Sequence, residues 1–288
     1  MNINNDPILQ VLLNYAECDE NIRAVLMEGS RAFGNVDKYS DYDIVFVTKS
    51  SESYFNGTII PFLTENFGKI AVMQTPDNGD PHDVYTHLIQ FESGIRIDLT
   101  FNSTAFLSRT PLESATIVLM DKDNRFENIA PSSDADFWVK PLSEWEYRSH
   151  CNEFWWCSPY VAKAVVRGQT LHAHELLSDC VRREYAWMLS RLAGARNNWD
   201  KVNPGKHGTN IAELLPKDDL HFYETLINSY VHANGNEIRL ASDNLMTEYN
   251  NLAAMVAESL GFTYDSMEAE RTMKFIKNVF GESEGNSK

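Results

Sequence analysis

The sequence predicts a mixed α/β domain followed by an all-helical domain. In the first half, short runs of β-branched and aromatic residues alternate with amphipathic stretches, a pattern typical of a mixed β-sheet with packed helices. Beyond about residue 140, apolar residues recur at helical spacing instead. The segment 131–136, with Pro and Ser, is the expected connection. We therefore expect an α/β (α+β) domain over residues 1–135 and an α-helical bundle over residues 136–288.

Local patterns place the elements of the first domain. A helix is expected from Asp6 or Pro7 to Ala16, and another from Thr58 to Asn66. The strands expected around them, in chain order, are residues 22–27, 42–48, 70–73, 84–91, 95–101 and 115–120.

The last but one of these strands shows the clearest alternation. Ile97, Leu99 and Phe101 share one face, whereas Arg96 and Asp98 share the other. Asp98 therefore lies in the middle of a strand on its polar face. A carboxylate at such a position indicates that this face lines a functional site.

The second domain is expected to consist of amphipathic helices. The stretch 171–192 has apolar residues close to a 3.6-residue period, which predicts helical structure. Ser143 and Glu146 have the spacing of a capping box, which marks the start of a helix. Further helices are expected over residues 220–231, 237–260 and 266–279.

The net charge of the chain indicates which kinds of binding partner are compatible with it. The formal net charge is −16 over 288 residues. This balance argues against nucleic acid as the main partner, because binding a phosphate backbone needs a basic surface. A negative field would accelerate the approach of a polycationic small molecule. The alternative is that the protein is simply acidic in general.

The cysteines and the apolar stretches argue against further classes of protein, namely zinc-binding, disulfide-rich, membrane-spanning and secreted proteins. Cys18, Cys151, Cys157 and Cys180 include no close Cys-x-x-Cys pair, so their spacing predicts neither a zinc site nor a disulfide framework. No apolar stretch approaches the ~20 residues of a membrane span, and the N-terminal residues lack a signal-peptide pattern. We expect a cytoplasmic protein with reduced thiols and no membrane partner.

The most informative pattern is a Gly-Ser pair followed by Asp-x-Asp. Gly29 and Ser30 precede Asp41 and Asp43, which lead into an apolar strand. Both aspartates project from the same side of an extended chain, and their carboxylates repel each other unless a cation binds. Mg²⁺ takes such oxygen ligands together with substrate phosphates, which backbone N–H groups of a small turn can also approach. The pattern predicts metal-assisted nucleotidyl transfer.

These residues resemble the signature of the nucleotidyltransferase superfamily, in which a third acidic residue follows on a later strand. Asp98 occupies that position, whereas Glu28 stands where the signature often has an apolar residue. A narrower resemblance, to the aminoglycoside 6-adenylyltransferases (streptomycin adenylyltransferases), covers roughly residues 25–210. Its landmarks, in order, are Gly29-Ser-Arg31, Asp41-Tyr-Asp-Ile-Val-Phe-Val47, Arg96-Ile-Asp-Leu99, Met120-Asp-Lys-Asp123, Phe154-Trp155, Ser158-Pro-Tyr-Val-Ala-Lys163, Val181-Arg-Arg-Glu184 and Gly205-Lys206.

The resemblance implies a nucleotidyltransferase fold and the transfer of AMP from ATP to an aminoglycoside hydroxyl, first of all the 6-hydroxyl of streptomycin, with release of pyrophosphate. It implies that Asp41 and Asp43 hold two Mg²⁺ ions and that Asp98 completes the metal site. Asp98 is also a candidate general base. A metal-bound alkoxide would serve as well, and the sequence leaves both open.

The resemblance also implies contacts to the nucleotide phosphates. The candidates are Gly29, Ser30, Arg31, Lys163 and Lys206. The alternative for Arg31 is a pairing with Asp37 or Asp41, and the alternative for both lysines is a solvated surface position. The segment before Lys206 does not match a Walker loop, since Asp200 and His207 stand where Gly and Ser or Thr are required.

Candidate drug-binding residues lie in the helical half. Glu175 and Asp179 are four residues apart and would offer a guanidinium two carboxylates, although Arg182 and Arg183 would equally pair with Asp179. Trp155 is a candidate for stacking on adenine or a sugar, with a place in the core as its alternative. Other acidic candidates for the drug are Glu144, Glu146 and Glu153.

Two other functions stay open at this point. The same catalytic half could modify another small molecule or a protein hydroxyl, as toxin-related nucleotidyltransferases do, but those enzymes are usually much shorter. A catalytically silent nucleotide-binding protein would be expected to lack one of the three aspartates, and this chain has all three. The sequence does not indicate an oligomeric state.

Overall fold

A computed structural model describes residues 6–34, 36–230 and 234–285 of the chain. Contacts within the chain divide it into two compact units, Met1–Asp136 and Phe137–Lys288. The first unit contains the sheet and the second is helical.

The first unit is built on a mixed six-stranded sheet. The strands are β1 (Ile22–Met27), β2 (Tyr42–Thr48), β3 (Ile70–Gln74), β4 (Val84–Phe91), β5 (Arg96–Ser103) and β6 (Ile117–Asp121). Their order across the sheet is β3-β4-β5-β2-β1-β6. Only the β2–β5 pairing is parallel among these strands, and the other four pairings are antiparallel. The predicted mixed sheet is thus confirmed.

Four α-helices accompany this sheet in the described part of the first unit. They are α1 (Pro7–Cys18), α2 (Gly29–Phe33), α3 (Ile60–Phe67) and α4 (Thr104–Leu107). Asp6 caps α1, because its carboxylate accepts hydrogen bonds from the backbone N–H groups of Ile8 and Leu9. The same carboxylate accepts a bond from the Tyr42 hydroxyl at 3.0 Å, which links the start of α1 to the start of β2.

The alternation predicted for β5 is confirmed. It explains why the face of the strand that carries polar side chains is available for a functional site. Ile97, Leu99 and Phe101 are fully buried in the same apolar cluster as α1 and α3. Because successive side chains of a strand point to opposite faces, Arg96 and Asp98 lie on the other face. Burying three large apolar side chains sets the register, since a slip of one residue would turn the charged pair into the core.

The second unit is a bundle of helices, and one helical run in it contains a π-helical segment. Its α-helices are α5 (Glu144–Val166), α6 (Thr170–Leu176), α7 (Arg183–Arg196), α8 (Ile211–Leu214), α9 (Leu220–Asn228), α10 (Gly235–Leu260) and α11 (Ser266–Gly285). The predicted capping box begins α5, with Ser143 and Glu146 bonding each other's backbone N–H groups. None of the described helices is long and apolar enough to cross a membrane.

The helix predicted over residues 171–192 is confirmed as an unbroken helical run, but it is not α-helical throughout. A π-helical segment, Leu177–Arg182, separates α6 from α7. Leu177 and Val181 are both fully buried and stand four residues apart, a spacing that also occurs along one face of an α-helix. Hydrophobic spacing therefore does not distinguish the two helix types here. The predicted helix over 220–231 ends earlier, at Asn228, and Val231 lies outside the described residues.

Candidate active site

Asp43 and Asp98 lie opposite each other on neighbouring parallel strands. The register pairs Asp43 with Asp98 and Ile44 with Leu99. Paired residues project to the same face of a sheet, so the two carboxylates face the side away from the core. Asp41 stands two positions before Asp43, where the chain enters β2. The fold therefore brings the three predicted aspartates to one place.

Arg96 connects two of these aspartates. Its guanidinium donates from Nε to Asp98 Oδ1 at 3.0 Å and from Nη2 to Asp98 Oδ2 at 2.9 Å. The same Nε lies 3.3 Å from Oδ2 of Asp41. A two-pronged bond of this kind is the strong form of an arginine–carboxylate pair. Sequence reasoning placed Arg96 on the right face of β5 but did not include it in the site.

The site carries more negative charge than Arg96 neutralises. Burial, followed by the charges of Asp98 and Asp41, raises the pKa of Asp43 to about 6. Burial, followed by the charges of Glu113 and Asp43, raises the pKa of Glu28 to about 7. A desolvated carboxylate among other carboxylates binds protons more readily for the same reason that it binds cations.

These residues fit a Mg²⁺ site. The donor set of Asp41, Asp43 and Asp98 consists of carboxylate oxygens alone, which is the chemistry that a hard divalent cation prefers. Burial and then the charges of Asp98 and Asp41 raise the pKa of Asp43, which is the direction expected where Arg96 offsets only part of the negative charge. A divalent cation would supply the missing positive charge.

Gly29 holds the backbone against the Asp43 carboxylate. A Cβ atom added at Gly29 would lie 2.4 Å from Asp43 Oδ2, and φ of Gly29 is +67°. Both the space and the backbone conformation therefore require glycine here. Gly29 and Ser30 begin the short helix α2. The N–H of Glu28, one residue earlier, donates to the backbone oxygen of Asp43 at 2.9 Å.

The Arg31 side chain supports the segment that leads into β2. Its Nε and Nη2 donate to the backbone oxygens of Asp41 and Ser40, each at 2.8 Å. Its guanidinium carbon lies 3.7 Å from the centre of the Tyr42 ring. The arginine therefore positions Asp41, and the bond goes to the backbone oxygen of this residue. A contact between Arg31 and phosphate stays a prediction.

The other predicted phosphate ligands belong to the second unit. Lys163 is in the last turn of α5, and its Nζ lies 5.2 Å and 5.3 Å from the centres of the Tyr160 and Phe275 rings. Lys206 is exposed at the start of a 3₁₀ turn in which His207 has a φ of +55°. Their roles stay predictions.

The predicted drug-binding residues differ in their exposure. Glu175 on α6 and Asp179 in the π segment are both exposed. The Trp155 side chain is 1 % exposed and its Nε1 donates to the Tyr264 hydroxyl at 3.1 Å. A substrate could reach that ring only if the core opened. The adjacent Trp156 is 62 % exposed.

A cavity of about 680 Å³ in the second unit is lined by residues that sequence reasoning did not assign to a site. Arg182, Arg183, Trp187 and His207 contribute to its wall. The Arg182 guanidinium donates to Ser178 Oγ at 2.7 Å and to Ser229 Oγ at 3.2 Å. Cationic and aromatic side chains together suit an anionic or aromatic group.

Comparison with known proteins identifies the family. The family model for streptomycin adenylyltransferase matches residues 4–279. A protein of Staphylococcus aureus named aminoglycoside 6-adenylyltransferase is 32 % identical over 202 residues, which span 67 % of this chain and 71 % of that protein. A protein of that name from Campylobacter jejuni is 25 % identical, with 89 % of each chain covered.

Bacillus subtilis (strain 168) provides a third relative named aminoglycoside 6-adenylyltransferase. It is 26 % identical over 288 residues, covering 95 % of this chain and 96 % of the relative. A crystal structure of an aminoglycoside 6-adenyltransferase from Bacillus subtilis aligns with a TM-score of 0.46 at 24 % identity, covering 94 % of this chain and 97 % of that one. On the match to the family model, this chain is a nucleotidyltransferase enzyme that belongs to the streptomycin adenylyltransferase family.

Proposed function

We propose that this enzyme transfers AMP from ATP to a hydroxyl of an aminoglycoside, with the 6-hydroxyl of streptomycin as the first acceptor to test. Pyrophosphate is the other product. The observation that carries the proposal is the pairing of Asp43 with Asp98 across β2 and β5, with Asp41 on the same side. The acceptor class is supported by the relatives, which are named aminoglycoside 6-adenylyltransferases.

Asp41, Asp43 and Asp98 are the residues that would hold Mg²⁺, and we propose two ions. When bound, Mg²⁺ would neutralise charge that develops on the triphosphate during an in-line displacement. Arg96 already donates to Asp98 and lies against Asp41. It therefore competes with cations for the same oxygens. Its positive charge also reduces the repulsion between the carboxylates of Asp41 and Asp98.

The acceptor hydroxyl must lose a proton during the transfer. We propose Asp98 as its acceptor; the alternative is that Mg²⁺ held by the three aspartates would lower the pKa of the hydroxyl. Both oxygens of Asp98 accept bonds from Arg96. Each carboxylate oxygen has two lone pairs, so Asp98 can take a proton on an oxygen that still accepts a bond from Arg96.

Further roles follow from the same proposal. Ser30, Arg31, Lys163 and Lys206 are proposed to contact the phosphates, with the backbone of Gly29. Glu175 and Asp179 are exposed, so their charges can attract a polycationic drug. We also infer that the enzyme works in the cytoplasm, where its co-substrate ATP is available.

Pyrophosphate release tests the proposal. Purified protein is incubated with ATP and Mg²⁺, with and without streptomycin, and the pyrophosphate released is measured. The mass of the drug is then determined by mass spectrometry. Streptomycin-dependent release together with a mass gain equal to AMP supports the proposal. Release with another aminoglycoside would correct the acceptor. If Mg-ATP binds but no aminoglycoside stimulates release, the proposed reaction is refuted in favour of another acceptor or a silent nucleotide-binding protein.

A further inference from the structure

Three potential metal ligands meet in the second unit, among residues that the proposed reaction does not use. Glu153 and Cys157 lie one turn apart on α5, and Cys180 comes from the π segment between α6 and α7. One ligand atom from each residue lies within 4.8 Å of the other two. Cys157 Sγ and Glu153 Oε1 are 3.4 Å apart.

The separation of Cys157 Sγ from Glu153 Oε1 matches a tetrahedral metal site, and the other two separations are at most 4.8 Å. In zinc sites the metal lies about 2.3 Å from thiolate sulfur and about 2.0–2.2 Å from carboxylate oxygen, so a tetrahedral angle places sulfur and oxygen about 3.5 Å apart. The observed distance of 3.4 Å between Cys157 Sγ and Glu153 Oε1 needs little adjustment. Two thiolates select a borderline or soft ion over Mg²⁺.

The π segment accounts for the position of Cys180. Single-turn π segments inside α-helices are rare and occur frequently at functional sites. This one packs against α5, the helix that carries the other two ligands. Cys157 is buried, whereas Cys180 and Glu153 are half-buried, so solvent reaches the cluster beside these two side chains.

We propose that Glu153, Cys157 and Cys180 bind one divalent cation of the zinc type, with water as the fourth ligand. Binding forms two metal–sulfur bonds and releases both thiol protons to solvent. The ion would tie α5 to the π segment and stabilise the bundle. The sequence predicted no zinc site because the two cysteines are far apart along the chain, and the fold brings them together. This proposal does not depend on the proposed reaction.

Cobalt is a suitable probe, because Co²⁺ bound to thiolates absorbs by charge transfer from sulfur, whereas carboxylate sites such as the three aspartates do not. Full-length, reduced, metal-free protein is titrated with Co²⁺, which Zn²⁺ then displaces. We expect one equivalent to produce the thiolate band. Cys157→Ser and Cys180→Ser should abolish it, and Glu153→Gln should weaken binding by roughly tenfold or more. Cys18→Ser, at an exposed cysteine of the first unit, should leave the band unchanged.

Thermal melting separates loss of the site from loss of the fold. Zn²⁺ should raise the melting temperature of the parent protein and of Cys18→Ser, but not that of Cys180→Ser. The metal-free melts show whether each variant folds. No thiolate band in folded parent protein, or a band that persists in the variant lacking both Cys157 and Cys180, overturns the proposal. A stable disulfide between these two cysteines under reducing conditions would also overturn it.

Discussion

The Asp43 carboxylate lies directly over Gly29. A single methyl group on Gly29 would come within 2.4 Å of Asp43 Oδ2. The contact explains why the Gly-Ser and Asp-x-Asp parts of the motif occur together: the chain must pass the carboxylate closely where β1 ends.

Replacing Gly29 with Ala should displace Asp43 and lower turnover strongly. The added methyl group collides with the carboxylate, and a φ of +67° adds about 1 kcal/mol or more of backbone strain. Turnover and urea unfolding are measured together. Gly34→Ala is the matched control, because Gly34 has a φ of +92° but no atom within 4 Å of an added Cβ. If both variants lose stability alike and both remain active, the contact with Asp43 is unimportant for the reaction.

Asp43→Asn should reduce turnover by about 1,000-fold or more, since an amide is a poor ligand for Mg²⁺ and lacks the charge that the site needs. The fold should survive, because the substitution removes a buried negative charge whose pKa is raised by its neighbours. Turnover and circular dichroism check this. Glu65→Gln, an exposed position on α3, is the control. Full activity in Asp43→Asn would remove this carboxylate from the mechanism.

Arg96→Gln should bind Mn²⁺, a paramagnetic substitute for Mg²⁺, several-fold more tightly without nucleotide. The guanidinium now donates to Asp98 and approaches Asp41, so its removal leaves their charges available to the ion. Arg96→Lys keeps the charge without the two-pronged geometry, so its affinity for Mn²⁺ should lie between those of the parent protein and Arg96→Gln. Electron paramagnetic resonance measures the free ion. Weaker binding by the Gln variant would mean that Arg96 orients the carboxylates instead of competing for them.

The metal-free protein should lose stability as the pH rises from about 4.5 to about 7. Glu28 has a pKa of about 7 against an ordinary value of 4.5, so the folded state binds a proton there that the unfolded state has released. Where the unfolded state binds fewer protons, the free energy of unfolding falls with rising pH. The shift corresponds to roughly 3 kcal/mol at most.

Glu28→Gln should flatten this part of the pH profile, since glutamine does not titrate. The parent and the variant are unfolded with urea at pH 5 and pH 8 in EDTA, and the difference between the two profiles isolates Glu28. Asp43, with a pKa of about 6, contributes a fall of the same sign that remains in the variant. Parallel profiles would show that Glu28 titrates normally.

Local patterns were sufficient for much of the fold. The bounds of β1, β2 and β4 coincide with the predicted strands, because apolar runs and alternation are local properties of the chain. The capping box at Ser143 was predicted for the same reason. The π segment 177–182 was missed, since its buried residues follow a spacing that an α-helix also allows.

The sequence by itself determined the three aspartates of the candidate site and the family, because the chemistry requires those residue types at characteristic spacings. Only the tertiary structure decided which groups surround them. The pairing of β2 with β5, the bonds from Arg96 and the charge near Glu28 join residues distant along the chain. The meeting of Cys157 with Cys180 is of the same kind. Such contacts depend on the packing of the whole unit. Packing buries one face of each helix or strand, and this determines which residues lie next to its other face.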